Sequence, residues 1–218
     1  MPVRVQNRPV NMTRRLLQLY GGLALFGLSM AFFVRGALGV MPWDVLSQGL
    51  IRFVPVSLGT MTIIVGALVL LAWIPLRQRP GLGTVSNVVV IGFAVDVALR
   101  VLPAPDALAV RVLFVLLGVV LNAVATAAYI GARFGPGPRD GLMTGLVRRT
   151  GWKVRWVRMG IEVSVVTTGW LLGGNLGAGT VLYALAIGPL VHPLLPLFEV
   201  PERRPAVSRG VHADHAVA

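Results

Sequence analysis

The chain contains no cysteine, and only 8 of its 218 residues are acidic, against 20 basic residues. Without cysteine there is no disulfide framework, no catalytic thiol and no zinc–thiolate site. Charged residues of both signs make up 13% of the chain, whereas about 25% is typical of a soluble domain. The chain therefore lacks the charged surface of a water-soluble protein, and its fold cannot rest on disulfide bonds.

Apolar residues dominate instead: they make up 56% of the chain, and the mean hydropathy is +0.78. A water-soluble chain of this length cannot hide such a fraction in one core, so we predict an all-helical integral membrane protein. The first apolar run has 19 residues, about 28 Å of helix, close to the roughly 30 Å hydrocarbon core of a bilayer. Six apolar runs predict six transmembrane helices, at 16–34, 58–74, 84–102, 110–130, 157–172 and 181–198.

A short polar stretch occurs twice in the chain, 96 positions apart. GVMPWDVLSQGL at 39–50 aligns without a gap with GPGPRDGLMTGL at 135–146. The same offset pairs the Gly-x-Gly-Thr segments at 81–84 and 177–180. The chain is thus an internal duplication, and the repeated polar segments, set in apolar surroundings, are where a functional site is expected.

The duplication predicts four parts: a cytoplasmic basic leader at 1–13, a first membrane repeat at 14–102, a second at 109–198, and a disordered cytoplasmic tail at 199–218. Each repeat holds three predicted spans, and because three is odd, the second repeat is expected to be inverted relative to the first. With the N-terminus in the cytoplasm, 16 of the 20 basic residues fall in cytoplasmic segments. We therefore predict a multi-pass protein of a bacterial inner membrane with both termini cytoplasmic, and the basic residues serve topology rather than nucleic-acid binding.

Each copy of the polar stretch predicts a short helix. Pro42 and Pro138 suit the first helical position, and Asp44 and Asp140 fall in the first turn, where a carboxylate meets unpaired backbone amides. The first short helix, at 43–53, would be about 16 Å long, enough for half the bilayer. Two arrangements stay open: both helices re-enter the membrane with facing N-termini, or both lie flat at opposite surfaces.

The Gly-x-Gly-Thr segments do not form a nucleotide-binding loop. Neither one completes G-x-G-x-x-G or carries the lysine of a P-loop, and no strand precedes them. We expect their glycines to form a tight turn and Thr84 and Thr180 to cap the helices that follow.

Four segments in this order, PWDVLSQGL, RPGLGTVSN, GPGPRDGLM and LGAGTV, resemble the YczE branch of the YczE/YyaS/YitT group of bacterial integral membrane proteins. The resemblance covers most of 14–198 and is most specific in the two Pro-x-Asp motifs. It implies a polytopic inner-membrane protein and no settled biochemical activity.

Glu162 is the most unusual polar residue of the predicted spans, since its repeat counterpart is Gly66. It is either a coupling or proton-accepting group, or part of a structural ion pair with an arginine such as Arg158. The candidate ligand-binding residues are the polar side chains of the short helices and of this span: Asp44, Gln48, Arg139, Asp140, Thr144, Arg158 and Glu162.

The sequence offers no catalytic constellation, no metal-ligand spacing and no soluble domain for a cofactor, so we expect neither an enzyme nor a cofactor. The function expected is transport or permeation of a small polar or anionic solute, because helix N-termini and arginines favour an anion. The alternative is a non-transporting accessory or scaffold protein that supports another complex. The predicted partners are the lipid bilayer and the solute; whether the chain forms a homo-oligomer or binds a membrane partner stays open.

Overall fold

A computed structural model describes residues 11–200. Most of the predicted leader at 1–13 and of the predicted tail at 199–218 lies outside the described residues. Within them the chain forms eight helices: α1 (Met12–Gly36), α2 (Pro42–Leu50), α3 (Leu58–Trp73), α4 (Leu82–Val101), α5 (Leu108–Gly131), α6 (Pro138–Thr150), α7 (Val154–Leu171) and α8 (Ala178–Phe198). The predicted all-helical class is confirmed.

Four of these helices, α1, α4, α5 and α8, are long and apolar enough to cross a membrane. Helix α3 is apolar but has 16 residues, about 24 Å. Helix α7 has 18 residues and includes Arg155, Arg158 and Glu162, which lower its hydropathy. Two of the six predicted spans thus fall short by length or by composition, and the count of six stays a prediction.

The two halves of the described chain repeat their helices at one constant offset. Helices α5, α6, α7 and α8 each begin 96 positions after α1, α2, α3 and α4, respectively. The loops before the short helices follow the same offset, because the backbone has positive φ at Ala37 and Gly39 and again at Arg133 and Gly135. The duplication seen in the sequence therefore extends to helix boundaries and to loop conformation.

The Gly-x-Gly-Thr segments begin α4 and α8 as expected. The Thr84 hydroxyl accepts a hydrogen bond from the Gly81 N–H at 3.1 Å, and the Thr180 hydroxyl accepts one from the Gly177 N–H at 3.3 Å. The threonines therefore cap these two helices.

The centre of the fold is formed by α1, which packs on α5 and α4, while α5 also packs on α8. The short helices cross between the halves: α2 packs mainly on α7, and α6 packs on α3. In the second of these contacts, a side chain at Gly141 would place its Cβ 1.9 Å from the Trp73 ring, and the Trp73 indole N–H donates to the Pro138 carbonyl at 2.9 Å. Each half thus supplies a short helix to the other half.

The first short helix ends earlier than predicted, at Leu50, and Arg52 lies in the turn that follows. The turn brings Arg52 next to Gly173. The spacing of Asp44, Gln48 and Arg52, four residues apart, predicts one polar stripe along a helix. Because Arg52 lies outside α2, the stripe on this helix ends at Gln48. In the second copy the helix continues to Thr150 and includes Arg148.

Candidate functional site

The first turns of α2 and α6 meet inside the protein. Arg139 Nη2 lies 3.9 Å from Asp44 Oδ1, and the Arg139 guanidinium carbon lies 4.9 Å from the centre of the Trp43 ring. Arg139 thus touches the opposite short helix through both an ion pair and a cation–π contact. These contacts bring the two N-terminal turns close together, which favours facing N-termini over two helices that lie flat at opposite surfaces.

Asp44 is completely buried at this meeting point. Neither of its carboxylate oxygens has a hydrogen-bond partner among the described residues, so the expected contact with the unpaired amides of its own first turn is not formed. The nearby stabilising groups are the Arg139 guanidinium and the positive N-terminal end of α2. A buried carboxylate without hydrogen bonds is costly, so the contact with Arg139 matters to the fold.

A cavity of about 430 Å³ lies beside the meeting point of the short helices. Four of the predicted site residues line it: Arg139, Asp140, Arg158 and Glu162. Trp43 lines the cavity, whereas the adjacent Asp44 is buried outside its wall. The structure thus gathers charged residues of two consecutive helices, α6 and α7, around one space.

Gln48 and Thr144 occupy equivalent positions of the two short helices, and the cavity reaches neither of them. The Gln48 side-chain oxygen accepts a hydrogen bond from the Asn175 N–H at 3.1 Å, which ties α2 to the loop before α8. The Thr144 hydroxyl donates to the Gly141 carbonyl within its own helix at 3.1 Å. Both side chains stabilise backbone in this structure.

Glu162 and Arg158 form an ion pair along α7, with Arg158 Nε 3.0 Å from Glu162 Oε1. The side chains are 38% and 57% exposed, so the attraction is that of a surface pair one turn apart. The ion-pair alternative for Glu162 is therefore realised in this structure, while the carboxylate still faces the cavity.

Two tyrosines of the cavity wall were missed by sequence reasoning. The Tyr129 hydroxyl donates to Asp140 Oδ2 at 3.4 Å. The Tyr183 hydroxyl donates to the Asn122 side-chain oxygen at 3.1 Å, and the Asn122 amide donates to the Ser29 hydroxyl at 2.8 Å. The sequence did contain a signal for them, because a tyrosine inside an apolar span usually has a hydrogen-bond partner for its hydroxyl group when it is buried.

A family model described as "Family of unknown function (DUF6198)" matches residues 13–195. An uncharacterized protein of Haemophilus influenzae is 40% identical over 169 residues, which are 78% of each chain. The uncharacterized membrane protein YczE of Bacillus subtilis is 34% identical over 179 residues, covering 81% of this chain and 83% of its own. The uncharacterized protein YyaS of the same organism is 24% identical over 188 residues, covering 83% and 92%. No solved structure matches.

Proposed function

We propose that this chain, which belongs to DUF6198 and is of the YczE type, transports a small polar or anionic solute across the bacterial membrane. The resemblance to YczE seen in the sequence is confirmed, and so is a membrane location. The observation that carries the transport proposal is the contact between the two short helices at the wall of a charged cavity.

The proposed architecture has six spans in two inverted repeats, each with one re-entrant short helix. Its support is the common offset of 96 between all four pairs of helix starts. Further support comes from the length of α2, whose 9 residues make about 14 Å and cannot cross a bilayer. Two half-length helices that meet at their N-termini are typical of transporters with discontinuous helices, where such ends hold a solute near the membrane midplane.

Helices α3 and α4 pack on each other, and we propose that their contact closes the cavity at one end. There the Asp96 carboxylate accepts hydrogen bonds from the Gly59 N–H, at 2.8 Å, and from the Ser57 hydroxyl. Arg158 and His192 also line the cavity, and the topology predicted from the arginines has both residues on the cytoplasmic side. We therefore propose that the structure is a state open to the cytoplasm, one of the two states that alternating access requires.

The charges at the site set the solute that fits. The site contains three carboxylates and two guanidinium groups. The carboxylates are those of Asp44, Asp140 and Glu162, and the guanidinium groups are those of Arg139 and Arg158. With all five ionised, the site carries one excess negative charge, so an anion would enter together with a proton. We propose that the solute is either an anion carried with a proton or a neutral polar molecule.

Reconstitution of the purified protein into liposomes tests the proposal. We expect a panel of small organic and inorganic anions to include one that accumulates and drives proton entry, read with an internal pH dye. Asp44→Asn and Asp140→Asn should abolish the proton flux, whereas Asp106→Asn, in an exposed loop, should not. Folded protein that moves no solute, with no change in proton flux in either variant, would overturn transport; a membrane protein that co-purifies would then favour the accessory role.

A further inference from the structure

The two halves differ at one equivalent contact between helices. Helix α3 packs along α4, and a Cβ at Gly59 would lie 1.9 Å from the Gly92 carbonyl oxygen. Among the described residues α7 does not pack along α8 in the same way. The counterparts of Gly59 and Gly92 are Arg155 and Gly188, and a Cβ at Gly188 would meet no described atom within 4 Å.

In the part of the chain that the structure describes, helices α7 and α8 both line the cavity but do not pack along each other, and we infer that the cavity opens between them. On α8 its edge is formed by Ala184, Gly188 and His192, which are exposed and spaced four residues apart. On α7 its edge is formed by Arg158 and Glu162. We call these five residues the α7–α8 opening. The counterparts of Ala184 and Gly188 in α4, Val88 and Gly92, are buried.

The charged residues of this opening are flanked by exposed apolar residues. Val163, next to Glu162, is 58% exposed, and Leu185, next to Ala184, is 72% exposed. Glu162 lies eight residues into α7, about 12 Å along the helix axis. A charge at such a depth in a membrane is costly unless a polar group solvates it. A ligand that fits the opening therefore needs a polar group for the charged residues and an apolar part for the exposed residues around them.

Arg158 has further N–H donors that could bind a ligand in the opening. It gives one N–H to Glu162, while a guanidinium has five donors arranged as a planar fork. That fork matches phosphate oxygens in a bidentate contact. Arg139 lines the same cavity and presents a second guanidinium further inside.

We propose that the α7–α8 opening binds the phosphate-bearing headgroup of a membrane amphiphile, whose acyl chains stay outside along Val163 and Leu185. Arg158 holds the phosphate, and the absence of a side chain at Gly188 leaves room for the headgroup between the helices. The site stands on the shape and charge of the opening and holds whether or not the cavity translocates a solute.

Site-specific photo-crosslinking in liposomes tests this site. A photo-reactive amino acid is placed at position 184, inside the opening, and in a second protein at position 185, which faces outward. The liposomes contain phosphatidylethanolamine and radiolabelled phosphatidylglycerol. We expect lipid to crosslink at both positions, and Arg158→Gln to lower the yield several-fold at 184 but not at 185. Arg155→Gln is the matched control, since Arg155 lies on the same helix against Trp156 and outside the cavity wall.

Three results would overturn the headgroup site. One is an unchanged yield at position 184 in Arg158→Gln that is shown to be helical and monodisperse. Another is an equal crosslink at 184 when phosphate-free diacylglycerol replaces phosphatidylglycerol, which would show that the opening does not recognise the phosphate headgroup. The third is a crosslink at 184 to a second copy of the chain instead of lipid.

Discussion

The guanidinium of Arg139 and the carboxylate of Asp44 approach to 3.9 Å across the boundary between the two repeats. The Asp44 carboxylate is buried and accepts no hydrogen bond among the described residues, and Arg139 forms an ion pair with it. The pair therefore links the stability of the fold to the geometry of the candidate site.

Removing the cation from this pair should destabilise the protein. We expect Arg139→Gln to lower the free energy of unfolding by about 1–3 kcal/mol, because it leaves a buried carboxylate unpaired. The double variant with Asp44→Asn should recover part of that loss. Denaturation in detergent measures both, with Arg155→Gln as the control on an exposed arginine. Strictly additive effects of the two substitutions would show that the residues do not interact.

The close contact between α3 and α6 should not tolerate a side chain at Gly141. We expect Gly141→Ala to cost about 1–3 kcal/mol, because the added methyl group would collide with the Trp73 ring. Gly160→Ala is the matched control: it lies within α7 with no described atom near its added methyl, so higher helix propensity should leave stability equal or improved. Thermal unfolding of both proteins decides, and equal melting temperatures would contradict the close contact.

Asp96 should stabilise both the start of α3 and the contact of α3 with α4. Asp96→Ala removes the acceptor for the Gly59 N–H and the Ser57 hydroxyl, and we expect a loss of about 0.5–2 kcal/mol. Asp106→Ala, in an exposed loop, should be close to neutral. Chemical denaturation measures the difference, and a neutral Asp96→Ala would mean that the α3–α4 contact does not depend on the carboxylate.

The two equivalent helix contacts should differ in their accessibility to water. The absence of natural cysteine makes a single introduced thiol free of background. We expect Ala184→Cys to react readily with a membrane-impermeant maleimide, and Val88→Cys, its repeat counterpart, to react at least about tenfold more slowly because it is buried. Reaction in inside-out and right-side-out vesicles also tests the predicted topology: the reagent should reach position 184 from the cytoplasmic side. Equal rates at the two positions would contradict the difference between the halves.

Gln48 should behave as a structural residue. Its side-chain oxygen accepts a hydrogen bond from the Asn175 backbone N–H, and the residue does not line the cavity. We therefore expect Gln48→Ala to lower the free energy of unfolding by about 1 kcal/mol and to leave the KM of any transported solute unchanged. Arg139→Lys, at the cavity wall, should instead raise KM, since lysine lacks the planar fork of donors. A larger effect on KM from Gln48→Ala than from Arg139→Lys would restore Gln48 as a ligand.

Local chemistry made part of this molecule predictable. Pro42 and Pro138 marked the starts of the short helices because proline fits the first helical position. Likewise, the repeated Gly-x-Gly-Thr segments marked the starts of α4 and α8. Because the two halves align at a constant offset, a helix start recognised in one half also predicted the equivalent helix start in the other.

Contacts between distant segments were not predictable in the same way. Nothing near Gly141 in sequence indicates that it lies against Trp73, and nothing near Gln48 indicates that its partner is Asn175. The α7–α8 opening was not predicted either. The only sign of it in the sequence was Glu162, which stands in the second repeat where the first has Gly66. The sequence located the charged residues, and the packing of the helices decided which of them face one cavity.

The exchange of short helices between the halves imposes an order on biosynthesis. Arg139 leaves the ribosome 95 positions after Asp44, a delay of roughly 5–20 s at typical rates of synthesis. During that interval Asp44 has no ion-pair partner, and α2 has no α7 surface on which to pack. We therefore expect the first half to stay incompletely assembled until α6 and α7 are made, in a partly hydrated environment such as the insertion machinery provides. Truncated chains that end before α6 should consequently be held there or degraded rather than released into the lipid.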